Sequence, residues 1–240
     1  MASDEYYTIA LVPAKIHSRR IPEKNLQKIA DQALYVYSVR AGINTLGIDE
    51  TFVSSESQII LDESLKIGAI PILRPLSLSG PLISNEQVVK HAITQIEALR
   101  GRRPDFLVLL QPTHPFRCPD DISAALQIMK KNETLDSLVA LRRTDELYGN
   151  LMDGYFLPEV ALPRNKAAEK KRYVNSGSFY VLRISRMSES GGFLGKEIGG
   201  FLLSQPDMEI DIDRPEQLAM ARGLAEFLRS KLQTYGLIDP

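Results

Sequence analysis

The sequence predicts an α/β protein, a doubly wound and mostly parallel sheet with flanking helices, built as a single domain over residues 1–240. Short apolar runs rich in β-formers alternate with longer helical stretches as far as Leu141, which is the β-α-β rhythm of right-handed crossovers. The runs are nearly continuously apolar, as strands covered on both faces are. A chain of 240 residues with 44% hydrophobic content also suffices for one sizeable core without disulfide staples.

Thr8–Val12 is the first strand, and a basic stretch separates it from a helix over Ala33–Thr45. Strand Thr51–Ser54, helix Ser57–Ile67 and strand Ile70–Leu73 continue the alternation. Helix Asn85–Leu99 then leads to strand Phe106–Leu110. The helix Asp120–Lys131 opens with Pro119 and two acids that complement its positive terminus. Its Ile122, Ala125, Leu126 and Met129 form one stripe. After strand Ser137–Leu141 the rhythm breaks. Residues 144–172 are polar with isolated apolar groups, and the basic stretch Arg164, Lys166, Lys170, Lys171, Arg172 closes them. This excursion is expected to be a hairpin arm. Tyr173–Ile184 returns as a strand interrupted at Ser176-Gly177. Five glycines in Gly191–Gly200 mark a mobile loop or tight turns. A final strand at Met208–Ile212 leads into a helix over Pro215–Leu232, apolar along Leu218, Ala221, Ala225 and Leu228.

Composition excludes several classes. Lys and Arg number 29 and Asp and Glu 30, a formal net charge of −1. A chain that neutralises many phosphates is normally more basic, so no nucleic-acid partner is expected. The single Cys118 makes no internal disulfide and supplies no cysteine cluster for zinc. Apolar runs are too short to cross a bilayer, and Met1–Tyr7 carries acids and no basic n-region. A cytoplasmic protein with no membrane partner is expected.

In open α/β sheets, ligands bind outside the carboxyl ends of the strands, and three such places carry chemistry. The loop Pro13–Asn25 packs Lys15, Arg19, Arg20 and Lys24 against a single acid, Glu23. It is a phosphate cradle or a solvated basic loop, and without glycine it is neither a Walker loop nor a dinucleotide fingerprint. The fourth strand exits through Gln111-Pro112-Thr113-His114-Pro115-Phe116-Arg117. This is either a recognition turn for a polyhydroxy ligand or a rigid proline turn. In Glu209–Asp213, Asp211 and Asp213 share a face if the segment is a strand. Two carboxylates held together call for a hard cation such as Mg²⁺. The alternative is that Asp213 caps the helix beginning at Arg214-Pro215. Together the three features suggest nucleotidyl transfer.

At these residues the sequence resembles the acylneuraminate cytidylyltransferases, the CMP-sialic and CMP-legionaminic acid synthetases. The resemblance runs through Val12–Asn25, Val53-Ser54-Ser55-Glu56, Arg74-Pro75, Leu110–Arg117, Ser176–Tyr180 and Ile210–Arg214. It implies a nucleotide-diphospho-sugar transferase-like fold that activates a nonulosonic sugar acid with CTP, giving the CMP-sugar and pyrophosphate. The implied catalytic residues are Lys24, Asp211 and Asp213, with Asp211 and Asp213 binding Mg²⁺. Ala14, Lys15, Ser18, Arg19, Lys24, Asn25, Arg74 and Ser84 would bind the nucleotide. Gln111, Arg164, Arg172 and Tyr180 would bind the sugar acid, with Arg164 and Arg172 lent to the partner's site by the arm of a homodimer.

The pattern also departs from the family. Lys15 replaces arginine and so loses a planar fork for phosphate oxygens. His17 stands for glycine, Glu56 for aspartate, His114 for serine and Ser176 for asparagine, and a usual acid near position 80 is absent from Ser79-Gly80-Pro81. The alternatives are therefore transfer with another nucleotide or sugar, or a catalytically weakened nucleotide-binding relative.

Overall fold

The computed structural model describes residues 6–159, 171–187 and 192–239. Along the first part run β1 (Thr8–Pro13), β2 (Lys28–Ile29), β3 (Gln32–Ala33), α1 (Leu34–Ile43), β4 (Glu50–Ser55), α2 (Gln58–Lys66), β5 (Ile70–Leu73) and α3 (Asn85–Arg100). Next come β6 (Phe106–Leu109), α4 (Pro119–Lys131), β7 (Ser137–Thr144), β8 (Gly149–Met152) and β9 (Tyr155–Pro158). β10 (Arg172–Arg183), β11 (Ile198–Leu202), α5 (Pro215–Phe227) and α6 (Arg229–Thr234) complete the order. Seven strands form one sheet in the order β11-β7-β10-β6-β1-β4-β5. β10 is antiparallel to both its neighbours, and the other pairings are parallel.

β1 lies within the sheet because its side chains serve two cores. Side chains alternate across a strand, so Ala10 and Val12 pack with Tyr35, Ile60, Ile122 and Leu126 of α1, α2 and α4. Ile9 and Leu11 point the other way, onto Val89, Ala92, Ile93 and Ile96 of α3. Helices therefore cover both faces, as the continuous apolar strands predict. α1 is buried on two sides. Its Tyr35 and Val39 face the sheet, while Leu34, Tyr37 and Ala41 support α5 and α6 through Leu218, Ala221, Leu228 and Leu232.

Four expectations need correction or refinement. No strand forms over Met208–Ile212 among the described residues; a 3-10 turn occupies Pro206–Met208. The place beside β7 is already filled by β11, and Ile212 instead donates its N–H to the Thr113 carbonyl at 2.8 Å. The glycine-rich stretch contains that edge strand rather than only turns. Gly200 leaves room there for Leu141, whose Cδ1 would lie 2.4 Å from a Cβ at that position. The last helix divides at Leu228 into α5 and α6. Within the stretch read as an arm, β8 and β9 pair as an antiparallel hairpin, while residues 160–170, with Arg164, lie outside the described residues. The predicted interruption of β10 is a bulge between Asn175 and Tyr180.

Candidate active site

β1, β4, β5 and β6 run parallel, and an open cleft of about 560 Å³ lies at their carboxyl ends, the usual ligand position in such sheets. The loop after β1, the β5 exit with Ser79–Pro81, the start of α3, Gln111–Thr113 and Asp213 form its wall. Five cations reach it: Lys15, Arg19, Arg20, Lys24 and Arg74.

The loop after β1 is fixed at several points. Ala14 extends the strand pairing by donating its N–H to Ser54 O at 3.0 Å, and its side chain is buried. Asn25 Nδ2 donates to Lys15 O at 2.6 Å, tying the two ends of the loop together. Lys24 Nζ donates to Ile212 O at 2.7 Å and to Asp213 Oδ1 at 3.1 Å, and Arg20 Nη1 pairs with Asp213 Oδ2 at 3.2 Å. Asp213 is therefore a partner of the basic loop and not the cap of α5. The N–H groups of Asp213 and Arg214 both go to Gln217 Oε1, each at 2.8 Å. Burial, followed by the Arg74 charge, holds the Lys15 ammonium below the usual lysine range.

Beneath the β6 exit lies a fully buried guanidinium. Arg117 Nε donates to Ser178 O at 2.5 Å and Nη1 to Ser38 Oγ at 2.8 Å, and Nη2 donates to the Gln111 carbonyl. Burial lowers its pKa to about 9, so it remains a cation at neutral pH. His114 is held neutral: burial first, then the Arg117 charge, push its pKa down to about 3. Its Nδ1 lies 3.1 Å from Thr113 Oγ1 and 3.8 Å from Asp211 Oδ1, and the latter approach is not an ion pair. Gly177 packs on this ring at φ 76°, and a Cβ there would fall 2.7 Å from His114 Cε1.

The carboxylate pair is asymmetric. Burial and then the Asp213 charge raise the pKa of Asp211, against Lys24 and a hydrogen bond from Thr113. Burial would also raise Asp213, but Lys24 and then Arg20 overcome it and hold that carboxyl below its ordinary value. The two are near enough to perturb each other although no strand presents them.

The structure brings most of the expected residues together. Lys15, Ser18, Arg19, Lys24, Asn25, Arg74, Gln111 and Asp213 line the cleft, and Asp211 lies beside it against His114. Ala14 offers only its backbone. Ser84 is the N-cap of α3, where its hydroxyl accepts from Gln87 N, while its neighbours Ile83 and Asn85 line the cleft. Tyr180 accepts from Asn175 Nδ2 at 3.0 Å and packs on Phe193, and Arg172 on β10 donates to Asp145 O at 3.2 Å. Neither lines the cleft. Arg164 lies outside the described residues.

The cytidylyltransferase family profile matches residues 9–234. The chain belongs to the cytidylyltransferase family. A relative, the CMP-N,N'-diacetyllegionaminic acid synthase of Legionella pneumophila, is 28% identical over 235 residues, covering 93% of this chain and 98% of the relative. The pseudaminic acid cytidylyltransferase of Campylobacter jejuni is 25% identical over 221 residues, covering 89% of this chain and 94% of its own. In fold, the chain is similar to the CMP:2-keto-3-deoxy-manno-octonic acid synthetase solved with CTP. The TM-score is 0.67 at 17% identity, over 92% of this chain and 99% of that one. Among the described residues no helix is long and apolar enough to cross a membrane.

Proposed function

We propose that this cytidylyltransferase is a CMP-sugar synthetase, joining CTP to a nonulosonic acid of the sialic, legionaminic or pseudaminic type and releasing pyrophosphate. The observation that carries the reading is the convergence of five cations on one cleft that also holds Asp213, with Asp211 beside it. A polyanionic triphosphate needs such charge, and oriented cations at a strand end supply it. The names of the relatives support the sugar class.

In the proposed reaction the sugar's anomeric hydroxyl attacks the α-phosphorus of CTP. The bond to the bridging oxygen breaks, pyrophosphate leaves with the electron pair, and the hydroxyl proton passes to a base at the Asp211 end of the cleft. Lys15, Arg19 and Lys24 would hold the phosphates, and Asn25 and Arg74 the nucleoside. Gln111, on a turn braced by Arg117, would face the sugar acid. Mg²⁺ is proposed as the cofactor, held by Asp211 and Asp213, and the donor set fits it. Magnesium commonly takes one or two carboxylates together with substrate phosphates, and Asp211 and Asp213 are two oxygen donors near enough to perturb each other. What the ion supplies when bound is neutralisation of phosphate charge.

The test is pyrophosphate release from CTP with Mg²⁺ and a panel of eight- and nine-carbon sugar acids. Release with one acid identifies the substrate, and silence without CTP binding rejects the reading. Asp211→Ala should lower turnover by about 10²–10³, by analogy with loss of one preorganised group, and should leave the melting temperature intact. Near-normal activity in that variant would remove the metal role. We also propose a homodimer made through the β8–β9 arm, with Arg164 and Arg172 serving the partner's site.

A further inference from the structure

Glu56 follows β4 and does not line the cleft, yet three cleft-forming segments meet on its carboxylate. Oε1 accepts the backbone N–H of Ile16 at 2.9 Å, between the lining residues Lys15 and His17. Oε2 accepts Arg74 Nη2 at 3.0 Å and Ser79 Oγ at 2.9 Å, and Arg74 Nε also donates to Ser79 Oγ at 3.1 Å. The side chains of Glu56 and Arg74 are each only 3% exposed, so water does not dilute the pair.

We propose that Glu56 is a positioning residue for the nucleotide, fixing the β1 loop, Arg74 and the Ser79 turn in one arrangement and, through the β1 loop that would hold the phosphates, setting affinity for the triphosphate moiety. This rests on reading the cleft as a nucleotide site. The geometry gives the reason for a glutamate. The carboxylate must reach a backbone amide on one loop with one oxygen, and a guanidinium and a hydroxyl on two further segments with the other. An aspartate on the same backbone holds its carboxylate one methylene shorter and so reaches less far toward both. The negative charge also separates two cations that would otherwise repel: Arg74 disfavours the charged form of Lys15, and Glu56 favours it. Asp211 and Asp213 are not among its partners, so the chemical step is left alone.

The experiment compares wild type with Glu56→Asp and Glu56→Gln, measuring binding of CTP and of inorganic tripolyphosphate by calorimetry alongside steady-state pyrophosphate release. The expected result is a rise of at least about tenfold in KM for CTP and in the Kd of both ligands, the size of one lost charged contact. The kcat should stay within about threefold, because the lost interaction acts on binding and not on the reacting atoms. A folded Glu56→Asp protein with unchanged Kd for both ligands overturns the proposal. Loss of tripolyphosphate affinity in a protein that never binds CTP would refute the cytidine reading and still support the positioning role. Since breaking a buried pair can unfold a protein, hydrogen exchange of the wild type is the second measurement. The Ile16 amide should be protected well beyond those of Lys15 and His17, and fast exchange at Ile16 overturns the proposal without any variant.

Discussion

A histidine kept neutral in a buried site changes how the whole protein responds to acid. The unfolded chain takes up a proton at His114 near its ordinary value of 6.5, whereas the folded chain resists until about pH 3. Between those values the unfolded state binds more protons, so stability rises with pH and falls on acidification. It is fully present above pH 6.5, and the loss below it runs at up to about 1.4 kcal/mol per pH unit for this one group. His91, also lowered by burial and then Arg74, adds in the same direction. We expect the stability of wild type in urea unfolding to fall between pH 7 and pH 5.5, and His114→Gln to show a shallower loss. An identical slope in the variant would mean that His114 is protonated in the folded state. At this scale the sequence showed the types of the site residues better than their contacts. The clustering of Lys15, Arg19 and Lys24 needs only the strand-end rule, but the role of Glu56 depends on where two later segments return.

At the scale of elements, the bulge in β10 and the turn after β6 make a matched pair. Gly177 sits at φ 76° with its α-carbon face against the His114 ring, so it is constrained twice, by backbone conformation and by space. Gly177→Ala should cost about 1–3 kcal/mol, the usual size of a left-handed strain with a steric clash. Guanidinium unfolding measures it, and wild-type stability would show that neither the positive φ nor the imidazole contact constrains this position. The interruption at Ser176-Gly177 was legible because serine and glycine break a β-rich run. β11 was not: Gly199 and Gly200 lower its strand signal, and their small size is what lets Leu135 and Leu141 approach. The segment over Met208–Ile212 misled in the opposite sense. Its apolar alternation fits a strand, but Met208 and Ile212 are buried against α5 and α6 without a free strand to pair with. The division of the last helix at Leu228 carried no glycine or proline to announce it.

For the molecule as a whole, the β8–β9 hairpin poses the remaining question. A two-stranded hairpin is marginal by itself in water, and this one exposes apolar side chains on both faces. Leu151 and Phe156 pair across one face at 76% and 51% exposure, and Met152 with Tyr155 across the other at 58% and 74%. None of them belongs to the three cores of the described residues. Fully burying a leucine or phenylalanine is worth about 1.5–3 kcal/mol, so a cover over this hairpin has a substantial driving force. A second copy of the chain is the proposed cover, consistent with an arm that leaves the sheet after β7 and re-enters at β10. Sedimentation velocity should find a dimer at micromolar concentration, and Leu151→Asp with Phe156→Asp should give a monomer. These positions lie outside the cores, so the monomer should keep its fold and its affinity for CTP. If Arg164 and Arg172 serve the partner's site, the same variant should lose affinity for the sugar acid while CTP binding stays. A wild-type monomer would remove the dimer and return those arginines to their own subunit, and a dimer untouched by the two aspartates would place the interface elsewhere.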